Sequence, residues 1–415
     1  MSTNRPQKLR IVSGPGSEYF TGKVVECLGE LYKNRFRKIS EAVMWKYSLN
    51  EKDALEKLSL IDDVNSKDIP DPECIPSYVV PNFMLDLKYT RFKNGEVKAE
   101  ILESVRGVHA YVVYDVSNTG RVLKLNLNDP NSDMSEFTVN DHLMMIFTIT
   151  QALTLSGAES VTLVLPTYPY ARQHKKASRE ALTAAMVMRF FESLRVKRII
   201  TLDIHSKEIE NACNFLHLEN LHSTYQNIMK LRDVIDIKSG NVVVVSPDSG
   251  AVGRNKFYAT TLNCPLAMLY KERDYSIVSR DSRHTNIKSI KLLGDVDGKD
   301  VIIADDMIAT GGTILNAMKE LKKFGAQRII CLVSLPFFDG DAVEEFERSY
   351  REGVFYRIIG TNAVYHEDEL LSKEWFIQSD VTDLFANIIM RLHLGLSVNT
   401  LLDNRHFIQE LLEND

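Results

Sequence analysis

The sequence predicts an α/β protein built as two similar lobes, each a mainly parallel sheet flanked by helices. Three observations carry that expectation. Short β-branched runs alternate with helix-like stretches along most of the chain, the pattern of parallel strands covered by crossover helices. The 415 residues, 44% hydrophobic and 26% charged, are enough to build two ordinary cores. Near residue 225 the chain passes from one strand-helix series into a second, and each series sends a strand into a polar loop.

Taken in order, an N-terminal lobe is expected over 8–224. It contains an inserted stretch at about 36–85, where charge density is high and DDVNSKDIPDPECIP cannot continue a helix. NDHLMMIFTITQALTLSG reads as a helix opened by Asn140 or Asp141 and closed by Gly157. SVTLVLP (160–166) and KRIITLDIHS (197–206) read as strands. A C-terminal lobe is expected over 225–393, with strands NVVVVSPDSG (241–250), PLAMLY (265–270), KDVIIADDM (299–307) and QRIICLVSLP (327–336). After PLAMLY the pattern turns polar and reads as a loop. The helix TILNAMKELKKFG follows the third of these strands, and the last segment, 394–415, is expected to pack on the N-terminal lobe.

Composition also excludes partners. A net charge of −6 argues against a protein held to nucleic acid by a dominant basic surface. MSTNRPQKLRIVSG has no apolar core of signal-peptide length, and no uncharged run reaches the roughly 18 residues that span a bilayer, so no membrane partner is expected and a cytoplasmic location is. Cys27, Cys74, Cys213, Cys264 and Cys331 are odd in number and never in C-x-x-C spacing, which reads as scattered buried thiols. SEYFTGKV has Gly22 and Lys23 but lacks the first glycine and the hydroxyl of a Walker phosphate loop.

The chemistry concentrates in VIIADDMIATGGT (301–313). Ligands in open α/β sheets sit beyond the C-terminal ends of strands, which is where this spacing puts Asp305 and Asp306. Ala309, Thr310, Gly311, Gly312 and Thr313 then offer amides and hydroxyls at a helix start, a cradle for a phosphate group. Two carboxylates beside that cradle suit vicinal sugar hydroxyls, or a hydrated Mg²⁺ bridging to them. Read alone, the pair is also compatible with an acidic helix cap on a surface turn.

ADDMIATGGT resembles the phosphoribosyl pyrophosphate loop shared by phosphoribosyltransferases and ribose-phosphate diphosphokinases (PRPP synthetases). YARQHKK (170–176), TLDIHS (201–206), VVSPDSGAVGR (244–254), YKER (270–273) and RFKNGEVKAEILESVRG (91–107) resemble diphosphokinase signatures in that family's order. The resemblance covers about 8–35 and 86–400. It implies two phosphoribosyltransferase-type lobes and transfer of the diphosphoryl group of ATP to the anomeric hydroxyl of ribose 5-phosphate, giving phosphoribosyl pyrophosphate and AMP for nucleotide biosynthesis. It implies Mg²⁺ at His205 and Asp248, and a catalytic pair, Lys271 and Arg273, on a closing loop. It implies ATP contacts at Arg172 and Gln173, with Lys175 and Lys176 as further cations, and an adenine-holding hairpin with Phe92, Asn94 and Glu96. It also implies ribose 5-phosphate at Asp305, Asp306 and 309–313. In the family that hairpin reaches in from a neighbouring subunit, so a homo-oligomer is implied, commonly a hexamer built from dimers.

Without the series, His205 reads as a satisfied imidazole, Lys271 and Arg273 as a solvated charge run, and Phe92 as core. The chain also departs from the family's pattern. His174 and Ala309 stand where aspartates are usual, KKASREALT is a residue shorter than the stretch that binds regulatory phosphate or ADP, and SLPFFDGDAVEEF lacks the family's His-Gly. Asp305, Asp306, His205, Asp248, Lys271 and Arg273 are intact. An active, divergent diphosphokinase is therefore expected over a catalytically silent regulatory member or a phosphoribosyltransferase.

Overall fold

The computed structural model describes residues 8–50, 53, 82–126, 129, 132, 134–176, 178–273 and 287–413. They form two compact units, Met1–Leu221 with Thr382–Leu402, and His222–Val381 with Asp403–Asp415.

In the first unit the strands are β1 (Lys8–Ser13), β2 (Leu87–Arg91), β3 (Val97–Ile101), β4 (Val108–Val113), β5 (Val122–Lys124), β6 (Met134–Glu136), β7 (Ser160–Val164), β8 (Val196–Leu202) and β9 (His217–Leu221). Five of them make a parallel sheet in the order β1-β4-β7-β8-β9, while β2-β3 and β5-β6 are antiparallel hairpins. A short extended piece adds a sixth position outside β1: Ile11 donates to Phe83 O at 2.7 Å, Leu85 donates to Ile11 O at 2.8 Å, and the bridge is parallel. The β-branched strands are buried on both faces, as a helix-covered parallel sheet requires.

The second unit holds β10 (Val242–Ser246), β11 (Leu266–Arg273), β12 (Ile287–Leu293), β13 (Asp300–Ile308), β14 (Arg328–Pro336), β15 (Arg357–Thr361) and β16 (Phe376–Ser379). Their order is β12-β11-β10-β13-β14-β15-β16, parallel except for the antiparallel edge strand β12. The winding repeats that of the first unit. In each, the second parallel segment lies outside the first, and the third crosses to the other side, so the strand order reverses beside the first strand. This shared winding is the physical form of the two similar lobes expected from the sequence.

Local chemistry revises several boundaries. The helix Val139–Leu155 starts earlier than expected, because its N-cap is Thr138 and not Asn140 or Asp141. The Thr138 hydroxyl accepts from Asp141 N, and Asp141 returns a bond to Thr138 N, a capping box. Helix Glu18–Tyr47 runs 30 residues, so the stretch expected as an insertion from 36 begins inside it; most of the rest, 51–81, lies outside the described residues. The polar pattern after PLAMLY reads as a loop, but β11 continues through Arg273 and pairs with β12, Lys271 facing Ile290. Ladder hydrogen bonds, which do not depend on side-chain polarity, extend this edge hairpin.

The C-terminal part divides differently from the sequence reading. Helix Thr382–His393, expected in the second lobe, belongs to the first unit, where Phe385 meets Phe20 edge-on at 5.2 Å. Residues 403–415, expected on the first lobe, belong to the second. There Ile408 is fully buried and Phe407 meets Tyr225 at 6.3 Å. Of the cysteines, Cys331 is buried and Cys27, Cys213 and Cys264 are half-buried, none of the four in a disulfide, while Cys74 lies outside the described residues.

Candidate active site

In the second unit the strand order reverses between β10 and β13, and in open α/β sheets ligands bind beyond the C-terminal ends of two such strands. Asp248 follows β10, and Asp305 and Asp306 lie near the end of β13. The half-buried Asp248 carboxylate accepts through Oδ1 from Gly250 N at 2.8 Å and Ala251 N at 3.0 Å, which closes the turn leading into helix Val252–Thr261 and fixes the orientation of the carboxylate. Asp306 is buried and donates its amide to Asp305 Oδ1 at 2.8 Å. Burial, with Asp306 beside it, pushes the Asp305 carboxyl from an ordinary 3.8 up to about 7, against the pull of the Arg254 charge. The Asp306 amide and the Arg254 charge offset only part of that burial, and sugar hydroxyls would add donors to the carboxyl.

The turn after this pair is held from behind. Phe337 and Phe338 donate to Ile308 O at 2.8 and 3.1 Å, and Asp339 donates to Ala309 O at 3.0 Å. Gly311 is the N-cap of helix Gly312–Lys323 and has φ +76°, and a Cβ there would lie 2.2 Å from the Phe346 ring. Only glycine satisfies both demands. Phe346 in turn stacks on Trp375 at 5.8 Å within the core, so the turn rests on a rigid aromatic floor. Ala309 is half-buried, and Thr310, Gly312 and Thr313 are exposed at the start of the helix, where the first amides lack intrahelical partners. The arrangement suits an anion.

The corresponding strand ends of the first unit are those of β1 and β4. Fully buried Asp115 accepts from Tyr19 Oη at 2.8 Å and from Ser117 N at 2.9 Å, and Thr167 Oγ1 lies 3.4 Å away. Asp115 is therefore satisfied within the first unit.

The first unit contributes other predicted residues. Arg172 and Gln173 are exposed in the loop after β7, tethered by Gln173 N to Tyr170 O at 2.8 Å. His205 is exposed after β8, and its ring stands edge-on to that of half-buried His174, with centroids 5.1 Å apart. The pairing places His174, noted in the sequence only as a departure, against a predicted metal ligand. Phe92, Asn94 and Glu96 are all exposed at the tip of the β2-β3 hairpin, with Phe92 at 49%. The turn is closed by Phe92 N to Glu96 O at 2.8 Å and Glu96 N to Asn94 Oδ1 at 3.1 Å. Lys271 and Arg273 lie at the end of β11, and their side chains fall outside the described residues.

Asp248, Asp305, Asp306 and the 309–313 turn thus lie at the C-terminal ends of the adjacent strands β10 and β13 of the second unit, and Arg172, Gln173, His174 and His205 in loops of the first. Sequence reading missed the part played by Asn255, a buried amide on helix Val252–Thr261. Its signal was present: Asn255 shares a helical face with the buried Tyr258, Ala259 and Leu262, a polar residue where an apolar one is expected.

Comparison with known proteins gives the family. A model of the N-terminal domain of ribose phosphate pyrophosphokinase matches residues 80–194, and one of the phosphoribosyl transferase domain matches 217–369. Ribose-phosphate pyrophosphokinase of Listeria ivanovii is 33% identical over 320 residues, covering 76% of this chain and 88% of that protein. That of Helicobacter hepaticus is 32% identical over 314 residues, covering 75% and 89%. Ribose-phosphate pyrophosphokinase A of Dictyostelium discoideum is 30% identical over 312 residues, covering 75% and 88%. Among solved structures, phosphoribosylpyrophosphate synthetase from Mycobacterium smegmatis shares the fold, with a TM-score of 0.66 at 22% identity over 94% of this chain and 99% of that one. On the strength of the two domain matches and of relatives at 30% identity or more along most of their length, the chain belongs to the ribose-phosphate pyrophosphokinase family.

Proposed function

We propose that this chain is an active ribose-phosphate diphosphokinase acting on ATP and ribose 5-phosphate. The observation that carries the reading is the end of β13: two adjacent carboxylates, one held near neutral pKa by burial, leading into an amide-rich turn at a helix start. The amides of 309–313 hold the 5-phosphate, and Asp305 and Asp306 hold the ring hydroxyls, which orients the anomeric oxygen. That oxygen bonds to the β-phosphorus of ATP, the bond from the β-phosphorus to the α,β-bridging oxygen breaks, AMP leaves, and the hydroxyl proton passes to water.

The other groups act by position and charge, since phosphoryl transfer asks for little covalent help. Arg172 and Gln173 contact the nucleotide. Lys271 and Arg273 bring cationic charge to the diphosphoryl group in flight. Asp248, an oxygen donor oriented by two amides, and His205 suit Mg²⁺, which takes few protein ligands and completes its shell with phosphate oxygens and water. When bound, Mg²⁺ would neutralise phosphate charge. The exposed tip bearing Phe92, Asn94 and Glu96 supports a role in holding adenine across a subunit contact, and hence a homo-oligomer.

A phosphorus NMR time course with Mg²⁺ tests the reading. AMP and phosphoribosyl pyrophosphate are expected from ATP only when ribose 5-phosphate is present. ADP in place of AMP would overturn the assigned bond cleavage, and release of pyrophosphate from phosphoribosyl pyrophosphate and a free base would make the protein a phosphoribosyltransferase. Mass measurement in solution tests the oligomer.

A further inference from the structure

β13 extends beyond its pairing with the neighbour on one side. β10 pairs with it at Val242↔Asp300, Val243↔Val301 and Val244↔Ile302, and beyond that pair β10 keeps its pairing with β11 as far as Ser246↔Met268 but not with β13, whereas the pairing with β14 on the other side continues to Ile308↔Pro336. Along a strand alternate residues bond to the same side. Asp300 donates to Asn241 O, so Asp300, Ile302 and Ala304 all aim their amide and carbonyl toward β10. At Ala304 the pairing with β10 has ended.

Asn255 fills that place. Its Oδ1 accepts from Ala304 N at 2.8 Å and its Nδ2 donates to Ala304 O at 2.9 Å, the pair of bonds a backbone peptide would make. Nδ2 also donates to Ala251 O at 3.0 Å. Asn255 is fully buried, and both amide hydrogens and the oxygen are engaged. Ala304 immediately precedes Asp305, and Ala251 donates its own amide to Asp248 Oδ1. One side chain therefore links the turn that orients Asp248 to the residue that carries the Asp305–Asp306 pair.

We propose that Asn255 is a positioning residue: its amide takes over where the pairing with β10 has ended and holds Asp305 and Asp306 in register with the Asp248 turn. The proposal rests on the reading of Asp305 and Asp306 as the groups that hold the sugar hydroxyls. Asparagine is suited to the task because its amide carries the donor and acceptor of a peptide in the same plane. Leucine, of similar size, carries neither. Displacing a positioned group by about 1 Å can cost on the order of 100-fold in rate, so a small relaxation of Ala304 is enough to be measured.

The experiment compares Asn255→Leu with the unmodified protein, in Mg²⁺, by AMP formation and by calorimetric titration with ribose 5-phosphate. KM and Kd for ribose 5-phosphate are expected to rise about 10-fold or more, with KM for ATP changed by less than about 2-fold, because the defect sits at the sugar groups. Asn255→Ser, whose hydroxyl is too short to reach Ala304, should give the same rise, and it serves in place of leucine should that variant fail to fold. Unchanged constants in a folded variant, or an equal rise for both substrates, would overturn the positioning role while leaving the diphosphokinase reading in place. Failure of the unmodified protein to make AMP would overturn that reading, and the proposal with it.

Discussion

Asp305 shows how one residue links the site to stability. Its carboxyl titrates near 7 in the ligand-free fold and near 3.8 when the chain is open, because burial and the neighbouring Asp306 disfavour its charge. A folded pKa raised above the unfolded one means that the group's contribution to stability is complete below about pH 4 and is lost as pH rises through 7. Asp305→Asn, which cannot ionise, is expected to match the unmodified protein near pH 4 and to exceed it in stability by about 4 kcal/mol at pH 8, read by urea unfolding of ligand-free samples. A stability difference independent of pH would remove Asp305 as the titrating group. The same substitution should weaken ribose 5-phosphate binding, the common exchange of stability for function at a strained site. Lys271 presents a different case, assigned by its place in YKER rather than by contacts. Lys271→Ala is expected to lower kcat about 100-fold or more with the thermal transition unchanged. Normal turnover of the purified variant would remove it from the mechanism.

Among the elements, the β13-turn-helix unit depends on one glycine. Gly311 is left-handed, and the space a methyl group would need is taken by Phe346, which is itself locked against Trp375 and Phe338. Gly311→Ala therefore meets both backbone strain and overpacking, and is expected to cost more than about 2 kcal/mol by denaturant unfolding. Phe346→Leu in the same chain should recover part of that cost, because the two positions are in contact and their effects are not additive. A neutral Gly311→Ala would mean that the turn is not held against the aromatic floor. The exposed β2-β3 hairpin is built in the opposite way: its tip is shaped by its own backbone bonds, which leaves Phe92, Asn94 and Glu96 for contact outside the unit.

At the scale of the molecule, each unit is completed by a piece of chain from near the C-terminus. Ile408 is fully buried in a cluster with Ile228, Leu231 and Tyr258 of the second unit. Ile408→Ala should cost about 2 to 4 kcal/mol, and by hydrogen exchange the lost protection should appear in helix Thr224–Arg232 and leave β1 and β4 unaffected. Loss of protection in the first unit as well would mean that the two units unfold as one. This exchange of C-terminal pieces could not be read from the sequence, because the apolar face of a helix states that it must be covered but not by which core. What the sequence determined by itself was chemistry of short range: the β-branched strands, the polar loops at their ends, the two lobes, and the placing of Asp248, Asp305 and Asp306 at strand ends beside the 309–313 turn. These follow from local pattern, since side-chain periodicity and turn residues are properties of a few neighbouring positions. Tertiary structure alone decided that Asp115 is satisfied within the first unit, that His174 meets His205, that Phe346 requires Gly311, and that Asn255 stands in for a strand pairing that has ended. Each of these joins residues far apart in the chain, and burial sets its strength, so it exists only once the sheet and its helices have closed around it.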